Sequence, residues 1–187
     1  FDVVEKDCGQ YDTVTEVMWV TGAALFIRLA DYREVGGLDG HFFAHMEEID
    51  LCWRLRSRGK KLVCIPQSVV YHVGGATLKK ENPRKTFLNF RNNLLMLYKN
   101  LPDKELEHVL FIRGILDRVA ALVFYLKKDR ANARAVMQAR REFEDIRYSF
   151  AASRIENMMK STDEIIPERT HFSIVTVSYT HLRAHET

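Results

Sequence analysis

Cysteine is scarce in this sequence. Cys8, Cys52 and Cys64 are all that 187 residues contain, an odd number with no Cys-x-x-Cys spacing. That leaves no paired disulfide framework and fits a reducing, cytoplasmic compartment, with Cys52 and Cys64 as small core residues. Long uncharged runs are lacking as well: none approaches the roughly 18–20 residues that a membrane-spanning helix needs. Gly36–Gly37 is followed by no Gly-x-Gly-x-x-Gly or Lys-Ser/Thr pattern, so the pair marks a sharp turn and not a phosphate-binding loop. The chain opens on Phe1 with neither Met nor a basic n-region, which argues against a signal peptide and suggests an internal fragment.

What is present is ordinary in bulk, 47% hydrophobic and 28% charged residues, enough for one core and at most a small second module. The net charge of +3 conceals an asymmetry. Residues 1–60 carry seven Lys/Arg against eleven Asp/Glu, whereas residues 79–154 carry seventeen against nine. An acidic front suits a metal or sugar site, and a basic rear suits an anionic surface. No nucleic-acid partner is expected.

Along the chain, residues 1–15 read as a polar loop. Glu16–Leu29 is an apolar run rich in Val, Trp and Phe and reads as a buried strand bent at Gly22–Ala23. A helical turn over Asp31–Val35 precedes Gly36–Gly37. Lys61–Ile65 and Ser68–Val73 read as short strands either side of Pro66. From Asn82, an N-cap followed by Pro83 at N1, a helix runs to Leu101 and is stopped by Pro102. A second helix is expected over Asp103 to about Lys128, apolar on most sides, with Arg113 and Asp117 spaced to pair. A third runs over Asp129–Phe150, where Ala133, Val136, Met137, Phe143 and Ile146 form a stripe among Arg130, Arg134, Arg140, Arg141 and Arg147. The three could bury one another as a bundle, or the second could lie in a bilayer interface while the basic residues meet headgroups. After Pro167 the composition changes, and Val177–Thr187 reads as non-native sequence; His181 and His185 are assigned no metal.

The densest chemistry lies in Leu38–His72. Asp39, Glu47, Glu48 and Asp50 fall within a dozen residues, and the pattern is helical from Met46 to Gly59, a natural residue for a helix stop. At 100° per residue, Glu47, Asp50, Arg54 and Arg58 share a polar side, with Asp50 and Arg54 spaced for an ion pair. Glu48 falls between Leu55 and Cys52 on the apolar side. Desolvation there would raise its pKa and the helix N-terminus would lower it, and a carboxylate so held suits general-base work.

Four segments in order, WVTGAALFIR, VGGLDGHFF, EEIDLCWRLRSRGKKL and IPQSVVYHVGGAT, together resemble the C-terminal half of a family 2 glycosyltransferase domain, nearest its bacterial rhamnosyltransferase-like branch. The resemblance covers roughly Val17–Leu101 and includes an Arg-Asn-x-Leu segment at Arg91, Asn92 or Asn93, and Leu94. It implies an α/β fold: a partial GT-A, Rossmann-like domain over residues 1–81, an α-helical extension over 82–165, and a tail over 166–187. It implies an inverting transfer of sugar from a nucleotide-sugar donor to a glycan or lipid-linked acceptor, in cell-surface polysaccharide synthesis, at the inner face of the plasma membrane. Trp19, Gly22, Ala23 and Asp39 would line the acceptor side. Glu48 would be the base, with Glu47 its partner or substitute, since the family has Asp where Glu48 stands. Asp50 and Arg54 would be structural, and His72 would reach a divalent cation, Mn²⁺ or Mg²⁺. The donor-binding half with its Asp-x-Asp is absent, so the chain by itself should be inactive. The rival reading is a non-catalytic helical module that binds a membrane surface or a partner, carried on an α/β scaffold.

Overall fold

The computed structural model describes Gly9, residues 12–71 and residues 82–162. The element order is β1 (Thr15–Glu16), α1 (Leu29–Glu34), α2 (Glu47–Ser57), β2 (Val63–Cys64), α3 (Pro83–Asn100), α4 (Asp103–Leu126), α5 (Arg130–Ile146) and α6 (Ala151–Lys160). Three 3-10 turns, at Gly22–Ala24, Gly40–Phe42 and Arg147–Phe150, join them. The architecture among the described residues is mostly helical, with one small antiparallel sheet pairing Thr15 with Cys64 and Glu16 with Val63.

This corrects the α/β expectation in its proportions. Of the strand expected over Glu16–Leu29, only Glu16 is in a ladder. Leu25 and Ile27 are half-buried and Phe26 and Arg28 exposed, so the run has the alternation of a strand without a ladder partner among the described residues. The expected strand over Ser68–Val73 is not regular structure through Tyr71, and its last two residues lie outside the described ones.

The helices follow their punctuation. Asn82 Oδ1 accepts from the Arg84 N–H at 2.9 Å, with Pro83 in the first turn. Pro102 separates α3 from α4, and Gly59 adopts φ +73° just past α2. Residues 94–101 are all buried, as expected of a central helix covered on every side. α3 packs against α2, α4, α5 and α6. The main core joins Phe42 and Met46 of the loop before α2, Trp53 of α2, Leu94–Tyr98 of α3, Leu106 and Val109 of α4, and Phe143 of α5. A smaller cluster of Val35, Leu51 and Leu55 seats α2 on α1, with Leu25 and Ile27 beside it.

Candidate functional site

The loop before α2 is bent sharply. Phe43, His45 and Met46 all have positive φ, at 62°, 70° and 73°, and none is glycine. A left-handed residue with a Cβ costs about 1–2 kcal/mol, so three in four positions need an external hold. Asn92, fully buried on α3, supplies it. Its Nδ2 lies 2.8 Å from the carbonyls of Phe42, Ala44 and His45 and shares its two N–H protons among them. Arg91 donates to Asn92 Oδ1 at 3.0 and 2.9 Å, to the His41 carbonyl at 3.1 Å and to Glu142 at 2.7 Å. The bend aims the first turn of α2, and with it Glu47 and Glu48. Asn92→Ala would leave three carbonyls without their donor. We expect a loss of about 3 kcal/mol in urea unfolding; a loss below about 1 kcal/mol would show that the loop holds its own shape.

Glu47 and Glu48 are both half-buried, and one oxygen of each is buried without a hydrogen-bond partner among the described residues. His45 Nε2 is in the same condition. Burial pushes the Glu47 carboxyl up, its backbone N–H at the helix N-terminus pulls it down, and the neighbouring Glu48 carboxylate pushes it up again; the net direction is up. Burial lowers the His45 imidazole, helped by the Lys85 charge and opposed by Glu48. The segment Val20–Gly22 lies along this face of α2. A Cβ on Gly22 would sit 3.8 Å from Glu48 Cβ, and the Cys52 thiol, raised by burial, meets the Val20 backbone one turn later. Gly22 is thus brought to Glu48. Trp19 is half-buried and Ala23 exposed, its N–H donating to Thr21 Oγ1 at 3.4 Å.

Asp39, Asp50 and Arg54 gather elsewhere, in an ionic cluster between α2 and α3. Asp50 is fully buried and accepts from Arg54 Nε and Nη2 at 3.0 and 2.7 Å, from Lys99 Nζ at 3.0 Å and from Asn100 Nδ2 at 2.8 Å. Lys99 bridges to Asp39 at 2.8 Å and lies 5.0 Å from the centre of the Phe42 ring. Arg54 also donates to the Val35 and Gly37 carbonyls, tying α2 to the glycine turn. The polar side of α2 is turned inward: Asp50 and Arg54 are buried as the expected pair, and Arg58 and Glu47 are half-buried. Polar residue types hide Lys99 and Asn100 in the sequence, although Lys99 stands four residues after Leu95 and seven after Asn92, on α3's inward side.

Burial pushes Asp39 up, but hydrogen bonds from Lys99 and His41 and the Lys99 charge outweigh it and hold the carboxyl at about 2. This folded value lies below the ordinary 3.8. The resulting stabilisation is whole above pH ~4 and lost as pH falls toward ~2. Urea midpoints across that range should fall more steeply for the wild type than for Asp39→Asn. Parallel curves would mean that Asp39 contributes nothing there.

The described residues do not make a metal site by themselves. Among the described residues no group of three or more His, Cys, Asp or Glu is placed to hold an ion, and Asp39 and Asp50 are taken up by Lys99 and Arg54. His72, the expected metal contact, lies outside the described residues, as does the tail over 166–187.

No protein-family profile matches the chain, and no solved structure matches it. Among curated proteins it is 31% identical over 141 residues to the pre-mycofactocin glycosyltransferase of Mycobacterium tuberculosis, covering 70% of this chain and 29% of that protein. It is 33% identical over 69 residues to rhamnosyltransferase WbbL of Escherichia coli, covering 37% of this chain and 25% of that one. It is 38% identical over 56 residues to the N-acetylglucosaminyl-diphospho-decaprenol L-rhamnosyltransferase of M. tuberculosis, covering 30% of this chain and 18% of the relative. The chain thus spans less than a third of the length of these relatives. Over part of its length, it is similar to family 2 glycosyltransferases.

Proposed function

We propose that this chain is the acceptor-side part of an inverting glycosyltransferase, which moves a sugar from a nucleotide-sugar donor to a hydroxyl of a glycan or lipid-linked acceptor in cell-surface polysaccharide synthesis. The observation that carries the reading is the Glu47–Glu48 pair, half-buried on the first turn of α2 with an unpartnered buried oxygen on each and Gly22 alongside. A carboxylate oxygen without a protein donor can take a proton from a substrate hydroxyl. The acceptor oxygen, losing its proton to Glu48, attacks the anomeric carbon. The bond from that carbon to the diphosphate oxygen breaks, and the nucleoside diphosphate leaves with the electron pair. The strained loop supplies orientation, since a base must sit within hydrogen-bond reach of its proton.

Trp19, Gly22 and Ala23 are proposed to border the acceptor, of which Gly22 is the one beside the base. Asp39 is proposed at the rim, where its present partners are Lys99 and His41. The divalent cation, Mn²⁺ or Mg²⁺, would have to be held by residues outside those described, His72 among them, and no step is assigned to it. Donor binding likewise belongs to a part of the protein that this chain does not supply. Transfer itself is the test. A polypeptide joining this chain to a donor-binding half should glycosylate an acceptor from a nucleotide sugar, and the chain alone should not. A joined protein that hydrolyses and transfers nothing would overturn the reading.

A further inference from the structure

The outer side of α4 plays no part in the candidate site. Phe111, Ile115, Val119, Leu122 and Leu126 are between 50 and 70% exposed. At 100° per residue they fall within about 80° of arc, one continuous stripe opposite the side that carries Leu106, Val109 and Ala121 into the core. Such a stripe is seldom left to water on a soluble surface. Beside it, Arg130, Arg134 and Arg141 of α5 have no carboxylate partner among the described residues, unlike Arg140 and Arg147, which pair with Asp117 and Glu144. Leu122 and Tyr125 of α4 face these three arginines across a groove of about 840 Å³, and the Arg130 guanidinium stands 5.8 Å from the centre of the Tyr125 ring. Arg134 also lines a second groove of about 500 Å³, which reaches Arg84, Arg91 and Phe43 of the strained loop.

We propose that this side of the molecule rests on an anionic phospholipid bilayer, with the α4 stripe entering the acyl boundary and Arg130, Arg134 and Arg141 taking lipid phosphates. The charge pattern selects this occupant. A second copy docked face to face would bring two sets of uncompensated arginines together, which is repulsive. A bilayer offers an apolar layer beneath a layer of phosphates, the same order in which stripe and arginines are set. The contact lies in the plane of the membrane. No helix among the described residues is long and apolar enough to cross one, and the opposite side of α4 carries Arg113 and Asp117 into a buried ion cluster with Arg140. The second groove then places the loop before α2 beside the headgroup layer.

Flotation of the whole 187-residue chain with phosphatidylcholine vesicles, with and without phosphatidylglycerol, tests this. The chain should float with the anionic vesicles, and less as salt rises, because headgroup attraction is screened. Replacing Arg130, Arg134 and Arg141 together by Gln should weaken binding on the order of 10²-fold, at about fivefold per basic residue. Leu122→Glu should also abolish flotation while the thermal melt stays as in the wild type, since Leu122 is over half exposed. Glu48→Gln should float normally, so a failure of sugar transfer and a failure of docking are separate results. Equal binding to neutral vesicles, or flotation unmoved by both sets of variants, would overturn the proposal. So would a dimer that Leu122→Glu dissociates, since it would give the face to a second copy.

Discussion

In a polypeptide that joins this chain to a donor-binding half, the proposed function predicts that Glu48→Gln lowers kcat by about 10²–10⁴ and leaves donor affinity close to that of the wild type. Gln keeps the volume and hydrogen bonding of Glu and loses only its basicity. The effect should therefore fall on the proton transfer and spare the positioning of α2. Glu47→Gln should cost less, because the Glu48 side of the first turn is the one that Gly22 borders. Glu47 would also leave a signature in the pH dependence. Glu47 is pushed up by burial and by Glu48, so if Glu47 is the base, the acid limb of the pH–rate profile moves above the ordinary glutamate range. Greater damage from Glu47→Gln together with that displaced limb would transfer the role to Glu47.

The largest loss of stability should come from Asp50→Asn. Asp50 is fully buried and holds Arg54 and Lys99, themselves 5% and 2% exposed. Removing its charge leaves Lys99 to Asp39 alone and Arg54 without a carboxylate partner among the described residues. Breaking a buried pair on one side typically costs about 3–5 kcal/mol, most of it from the unpaired partner. Lys99→Met in the same protein should restore part of that loss, because one of the two buried cations is then removed along with the carboxylate charge it met. Urea unfolding of the wild type, the single and the double variant decides it. A single variant within about 1 kcal/mol of the wild type, or a double variant no better than the single, would show that the cluster is not acting as one electrostatic unit.

The helical part of the fold was legible because its signals are local. Asn82–Pro83, Pro102 and Gly59 are each punctuation for the residues beside them: α2 ends just before Gly59, α3 runs from Asn82–Pro83 to the residue before Leu101–Pro102, and α4 starts past Pro102. The run from Glu16 to Leu29 misled because an apolar, alternating segment looks the same with or without a neighbouring strand. Leu25 and Ile27 turn inward against α1 and α2 rather than into a sheet. The site was legible only in outline. A helical wheel gives Asp50 and Arg54 a common side but cannot show that Lys99 and Asn100, some fifty residues on, bury that side and neutralise it. Nor does any residue pattern in Phe43–Met46 announce left-handed backbone, since the hold comes from Asn92.

Those long separations have a consequence for how the molecule reaches its final form. Each hydrogen bond from Asn92, Lys99 and Asn100 to the loop or to α2 spans 47 to 60 positions of chain. The helical hairpin α4–α5 closes over a short connection and can pair early, whereas contacts of high sequence separation wait for a large entropy of closure to be met. The carboxylate turn should therefore be the last region to acquire its shape during refolding and the first to lose amide protection from exchange, well before α3 itself opens.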